Sequence, residues 1–229
     1  MSDEPTKARV LGVAVVVANG LFVLGWLVAP LWQGPRYHVL ADSISDMYAN
    51  HAPGGVVLIV VTTLSGIAVL LFAGLVLWPT LRPGGWSAAV GSILLALSIF
   101  GLGDLLTPFE REACRHADPG CTAAIQTGNL GGALDSTLSG IGVLLLVAAG
   151  FFLTAGMRRI PRWHHWSGPT LWATVGLLVL VVAANLTGPV NLSGLSERLV
   201  AAAGAAAIAA LAIGCIADAA TPASRRIRG

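Results

Sequence analysis

Three carboxylates, Asp46, Asp104 and Asp135, stand beside the ends of long apolar runs, where a carboxylate needs a partner or water. Asp104 closes the stretch F-G-L-G-D-L-L, and Asp135 opens G-A-L-D-S-T. Pairing of either with Arg36, Arg111 or Arg115 would staple a loop to the apolar core. Left unpaired, and joined by Ser43 and Ser45, the same acids would form a polar cup that could receive the head of a lipid or small amphiphile. His38, Asp42 and Asp46 recur every four residues, so on a helix their imidazole and carboxylate atoms face one way, a donor set suited to a divalent metal. The competing account of that stripe is the wet face of an interfacial helix. His51 or His116 could complete a metal site only through tertiary folding.

The elements that must position these residues are set by composition. The chain has 229 residues, 55% of them hydrophobic and 10% charged, with a mean hydropathy of +0.80. That is too apolar for an ordinary soluble domain. About 20 consecutive apolar residues span a bilayer core as one helix. Six stretches meet the requirement: Val10–Trp32, Val56–Trp78, Trp86–Leu106, Ser136–Met157, Gly168–Leu186 and Leu199–Ala217. Their residues do not alternate as barrel strands do, and lipid cannot satisfy free backbone groups, so helices are required. The prediction is an all-α, polytopic bundle of six transmembrane helices over residues 10–217, between tails 1–9 and 218–229. The first span exceeds a typical signal h-region and lacks a small-x-small cleavage site, so it reads as an uncleaved anchor.

Orientation follows from the basic residues. Lys7, Arg9, Arg82, Arg158, Arg159, Arg162, Arg225, Arg226 and Arg228 fall on one side, against Arg36, Arg111, Arg115 and Arg198 on the other. Nine against four predicts both termini in the cytoplasm of a cell-membrane protein. Eight of the eleven acids fall at or beyond the outer ends. The net charge of +2 is small and segregated, which argues about orientation and against a nucleic-acid partner. Cys114 and Cys121 flank R-H-A-D-P-G on the outer side, where an oxidising compartment and a Pro-Gly turn favour a disulfide. A metal site is the competing reading there, but a lone C-x6-C lacks zinc-finger spacing. Cys215 reads as a buried core residue.

The outer connections 33–55 and 107–135 exceed the length of ordinary loops, and such loops carry function or are disordered. From His38 to Tyr48, apolar residues at helical spacing predict a short amphipathic helix lying in the outer interface. Ala202, Ala206, Ala210 and Gly214 form a small-residue face that predicts close packing inside the bundle or against a second copy. Most of the seven Trp fall near span ends, as an aromatic belt requires, and His164 and His165 read as interfacial anchors. Asn19 and Asn185 are expected to hydrogen-bond between helices. N-L-T at Asn185 and N-L-S at Asn191 match glycosylation sequons.

The chain contains no P-loop, dinucleotide fingerprint, H-E-x-x-H or G-x-S-x-G, and no motif names a cofactor. No paired, Gly/Pro-interrupted spans suggest a secondary transporter. Y-H-V-L-A-D-S-I-S-D-M after the first span, long apolar second and third spans, and a loop with Cys114, Asp118, Pro119, Gly120 and Cys121 resemble the domain of unknown function 998 family. The likeness covers roughly Val10 to Ala217 and implies a membrane protein of about six spans. It also implies one or two His at the start of the fourth span in many members; this chain has Asp135 there. A looser likeness is to seven-span ceramidase and progestin-receptor-like hydrolases, but the H-x-x-x-H pair and one span are missing.

These residues support a lipid- or amphiphile-binding membrane protein with a polar cup of Ser43, Ser45, Asp46, Asp104 and Asp135. The enzymatic alternative is a metal-dependent hydrolase of envelope lipids, using His38, Asp42, Asp46, Asp104 or Asp135. A third reading is a structural partner in a membrane assembly.

Overall fold

The computed structural model describes residues 3–187 and 192–221. Those residues are mainly helical, with no strand among them, and six helical segments are long and apolar enough to cross a membrane. The protein is therefore a multi-pass membrane protein. The spans are Pro5–Trp32, Gly55–Gly84, Trp86–Phe109, Leu130–Met157, Pro161–Leu186 and Ser193–Ala220. The first helix begins at Asp3, so much of the expected N-terminal tail is its opening turns. Residues 222–229, with Arg225, Arg226 and Arg228, and the sequon at Asn191 lie outside the described residues.

Each span packs against its neighbours in chain order, and the sixth returns to the first, closing a ring. Val10, Val13, Val17, Leu21 and Leu24 form an exposed stripe on the first span, while Val15, Asn19, Phe22 and Trp26 are buried. In lipid this is the expected arrangement, because hydrocarbon solvates the apolar stripe and the bundle must satisfy the polar groups. Asn19 does so within its own helix, donating to Val15 O at 3.0 Å, and exposed Asn185 likewise donates to Val181 O at 2.8 Å. The expected interhelical bonds from both are replaced by these intrahelical ones, since a carbonyl four residues back is always within reach.

Two spans depart from regular α-helix. The second widens to π geometry at Ala73–Leu77, just before Pro79, whose ring cannot fit against the carbonyl four residues earlier in a regular helix. The third breaks at Ser98, which takes an extended ψ of 175°, and continues as a π-turn over Ile99–Gly103 before Asp104–Leu106. Gly66 lets the second span abut that break, since a Cβ there would lie 2.8 Å from Gly101 O. The fourth span starts on Asn129, whose side chain accepts from Gly132 N–H at 2.7 Å as an N-cap.

The segment 38–48 is not an interfacial α-helix. It is a run of turns ending in a 3₁₀ turn at Ser45–Tyr48, and Ile44 to Ala49 are buried over the bundle end. Its own side chains bind its backbone, with Asp42 accepting from His38 N–H at 2.6 Å and Ser43 Oγ from Asp46 N–H at 3.1 Å. Such local bonds compete with an α-helical ladder. The tryptophans divide: Trp86 and Trp172 are exposed, whereas Trp26 and Trp163 are buried, and the Trp163 ring faces Gly214 of the sixth span. Exposed His164 and His165 follow it.

Gly91 marks a close seam between the third and fourth spans, where a Cβ would stand 2.8 Å from Leu153 Cγ and 2.9 Å from Leu153 N. Gly91→Val should force the third and fourth spans apart at a cost of about 1–3 kcal/mol. Thermal unfolding in detergent checks this: the midpoint should drop for Gly91→Val and hold for Gly20→Val, whose site has nothing within 4 Å. Equal midpoints would contradict the tight seam.

Candidate functional site

At the acidic end of the ring, the two long connections fold over the bundle as a cap. Arg198 in the sixth span anchors the first of them. It is buried, and Nη1 donates to Val39 O, Asp42 O and Gly194 O, each at 2.8 Å, while Nη2 donates to the Tyr37 hydroxyl. That hydroxyl donates in turn to Ser43 O at 2.8 Å. Glu197 accepts from Ile44 N–H at 2.9 Å, and Ser193 Oγ donates to Ala41 O at 2.7 Å. The second connection clasps the first: Arg111 donates to Tyr48 O at 3.2 Å and Ala49 O at 3.1 Å. Cys114 and Cys121 are disulfide-bonded, closing the loop that carries Arg115, His116 and Asp118. Arg115 pairs with Asp118 at 2.6 Å and reaches Gln33 O at 3.1 Å.

Beneath this cap Ser43, Ser45, Asp46 and Asp135 come together through a short chain of contacts. Ser43 Oγ lies 3.0 Å from Ser45 Oγ, and Ser45 donates to Glu112 Oε1 at 3.4 Å. Gln126 Nε2 bridges Glu112 Oε2 at 3.3 Å and Asp46 Oδ1 at 2.9 Å. Tyr48 donates to Asp135 Oδ1 at 3.3 Å. Asp104 sits beside Glu110 instead, and Asp104 Oδ2 and Glu110 Oε1 are buried without a hydrogen-bond partner. No arginine pairs with Asp104 or Asp135 among the described residues, contrary to the pairing the sequence allowed. Arg111 and Arg115 face backbone carbonyls and Asp118, because covering loop backbone away from water demands donors first.

The metal stripe is rearranged too. His38 is exposed and contributes its backbone N–H, whereas the His116 imidazole takes the place expected for His38, with Nδ1 2.9 Å from Asp42 Oδ1. Since 38–46 is not a helix, spacing by four does not align three side chains; the disulfide loop brings the third ligand. Nothing in local spacing singled out Arg198, Glu112, Tyr48 or Gln126. The surplus of acids on one side was the only sequence signal that they would gather.

A second feature lies along the bundle wall. A cavity of about 730 Å³ opens between the fourth, fifth and sixth spans, reaching Leu95 of the third. Leu146, Leu153, Pro169, Leu177, Ala203 and Leu211 line it, and Val179 and Ala206 at its rim are exposed. Its two hydroxyls are engaged within the wall, Thr174 donating to Thr170 O at 2.8 Å and Thr170 to Met157 Sδ at 3.5 Å. The surface offered is mostly hydrocarbon. Of the small-residue series, Ala206 and Ala210 line this cavity and Gly214 packs on Trp163.

The model of a protein family described as a protein of unknown function (DUF998) matches residues 16–214. The chain belongs to this family. Comparison with curated proteins and with solved structures finds no match. The family description names no activity, so the chemistry must be argued from the cap and the cavity.

Burial governs protonation in the cap. It raises Glu112 to about 8, helped by the charges of Asp135, Asp46 and Glu197, and raises Glu110 to about 8, helped by Asp135. Burial also raises Asp46 and Tyr48. The hydrogen bond to Asp42 raises His116, and that from Arg115 lowers Asp118. Between the ordinary glutamate value of 4.5 and about 8, the folded protein holds protons that the unfolded chain has released. Stability from Glu110 and Glu112 is therefore complete below that window and lost as pH rises through it, and the raised His116 adds the same sign. The unfolding midpoint should fall from pH 5 to pH 8, and fall less steeply in Glu112→Gln. A midpoint that climbs with pH across this range would contradict the assignment.

Proposed function

We propose that this DUF998 protein sits in the cytoplasmic membrane, with both termini inside and the capped acidic end outside, and binds a lipid or similar amphiphile. One observation carries the reading: the apolar cavity between the fourth, fifth and sixth spans. At about 730 Å³ its size falls within the range of small-molecule sites, and it faces the lipid through an exposed rim. From Trp166 to Leu180 it follows the fifth span for about 21 Å at 1.5 Å per residue, longer than one leaflet of a hydrocarbon core about 30 Å thick. Ala203, Ala206, Ala207 and Ala210 make the room, because small side chains leave the sixth span's wall recessed. These alanines serve a guest chain here, in place of the second copy that their spacing also fits.

The polar end of such a guest belongs with the acidic cap. Arg198 lies five residues from Ala203, about 8 Å along the helix, so a chain filling the cavity brings its head to the depth of Glu197, Asp135 and the rim of the cap. The cap's buried Ser45, Asp46 and Asp135 set the polarity beneath that position and are covered by the loop itself.

Photo-crosslinking with a phospholipid carrying a diazirine in mid-chain tests the reading. Peptide mapping should find label concentrated on 146–153 and 203–211, and Ala207→Trp should reduce it there several-fold while the protein still folds. Label spread evenly over the exposed first-span stripe and unchanged in Ala207→Trp would sink the proposal.

A further inference from the structure

We infer that Asp42, Asp46 and His116 form a binding site for a divalent transition cation of the zinc type on the face of the cap. One donor atom from each residue can be chosen so that all three lie within 4.8 Å of one another. Two carboxylates and an imidazole are a donor set that zinc accepts, at bond lengths of about 2.0–2.2 Å. Those bonds hold donors roughly 3–4 Å apart. The His116 side chain is 58% exposed and Nδ1 already stands 2.9 Å from Asp42 Oδ1, so the imidazole has room to turn as the group closes.

A second observation separates this cluster from an ordinary group of acids. Asp46 is fully buried, at 0% exposure, and its Oδ2 has no hydrogen-bond partner. Its Oδ1 accepts from His116 N–H at 2.8 Å and Gln126 Nε2 at 2.9 Å, which pins the carboxylate against the His116 loop. A buried carboxylate oxygen without a donor is costly unless a proton or a cation meets it. No Lys or Arg side chain hydrogen-bonds to the carboxylate of Asp42 or Asp46 among the described residues, and Arg115 is committed to Asp118 and Gln33. Asp42 Oδ2 already accepts from His38 N–H at 2.6 Å, so the carboxylate is oriented with Oδ1 toward the imidazole. Orientation of a ligand by a fixed hydrogen bond on its far atom is what metal sites require. Exposure of His116 leaves a coordination position open to water.

The site is distinct from the hydrocarbon cavity, and its test does not depend on lipid. Full-length protein stripped with a chelator and exchanged into metal-free detergent buffer is titrated with zinc alone by calorimetry, and with cobalt alone by visible absorption. Wild type should bind one equivalent with a tetrahedral or five-coordinate cobalt spectrum. His116→Ala, an exposed position that leaves the fold intact, should weaken zinc at least tenfold, and Asp46→Asn should do the same. His164→Ala with His165→Ala, on the opposite end of the bundle, should leave it unchanged. Binding of equal affinity in His116→Ala, loss of binding in the His164/His165 variant, or no binding by wild type would overturn the proposal.

Discussion

Arg198 is a buried guanidinium at the edge of a membrane bundle, and the acidic end depends on how it is satisfied. It holds three carbonyls and the Tyr37 hydroxyl, with no ion pair among the described salt bridges. A charge in such surroundings needs its donors met. Nη1 and Nη2 are met chiefly by the loop while the buried Nε has no partner, so the loop is fixed where its carbonyls converge on the two terminal nitrogens. That placement lays Ile44 to Ala49 over the bundle end and removes water from Asp46, Glu112 and their neighbours. The raised Glu110 and Glu112 follow from the cover.

The same logic runs down the bundle wall. Where backbones touch, as at Gly66 against the broken third span, small residues are needed for contact. Where alanines face the fifth span, contact is incomplete and the cavity results. Close packing and recess thus use the same residue types, distinguished only by what stands opposite. The fifth span packs on the fourth and sixth and is the least buried of the six spans.

Much of the architecture was legible in the sequence because lipid imposes a strong length and hydropathy rule. Runs such as 136–157 are long and apolar enough for spans, and the Cys114–Cys121 pairing agrees with the expectation from a Pro-Gly turn between the two cysteines. The cap was less legible. His38, Asp42 and Asp46 have helical spacing, yet turns stabilised by Asp42 and Ser43 show the same spacing without a helix. The sequence placed Ser43, Ser45, Asp46, Asp104 and Asp135 at span ends, whereas the side chains that hydrogen-bond to some of them, Tyr48, Glu112 and Gln126, come from loops whose path only tertiary bonds decide. Asp104 lies beside Glu110 instead, where the third span resumes after its break at Ser98 and abuts Gly66 of the second span.

On the proposed reading, a hydrocarbon chain from the bilayer would occupy the cavity beside the fifth span, with the polar cap above it. The most direct measurement is a cryo-EM reconstruction in lipid nanodiscs, without detergent in the final step. The account predicts an elongated density along the fifth span between Leu146, Leu177 and Ala207, ending toward Arg198. A fifth span closed against Ala203–Ala210, with no density between them, would contradict it.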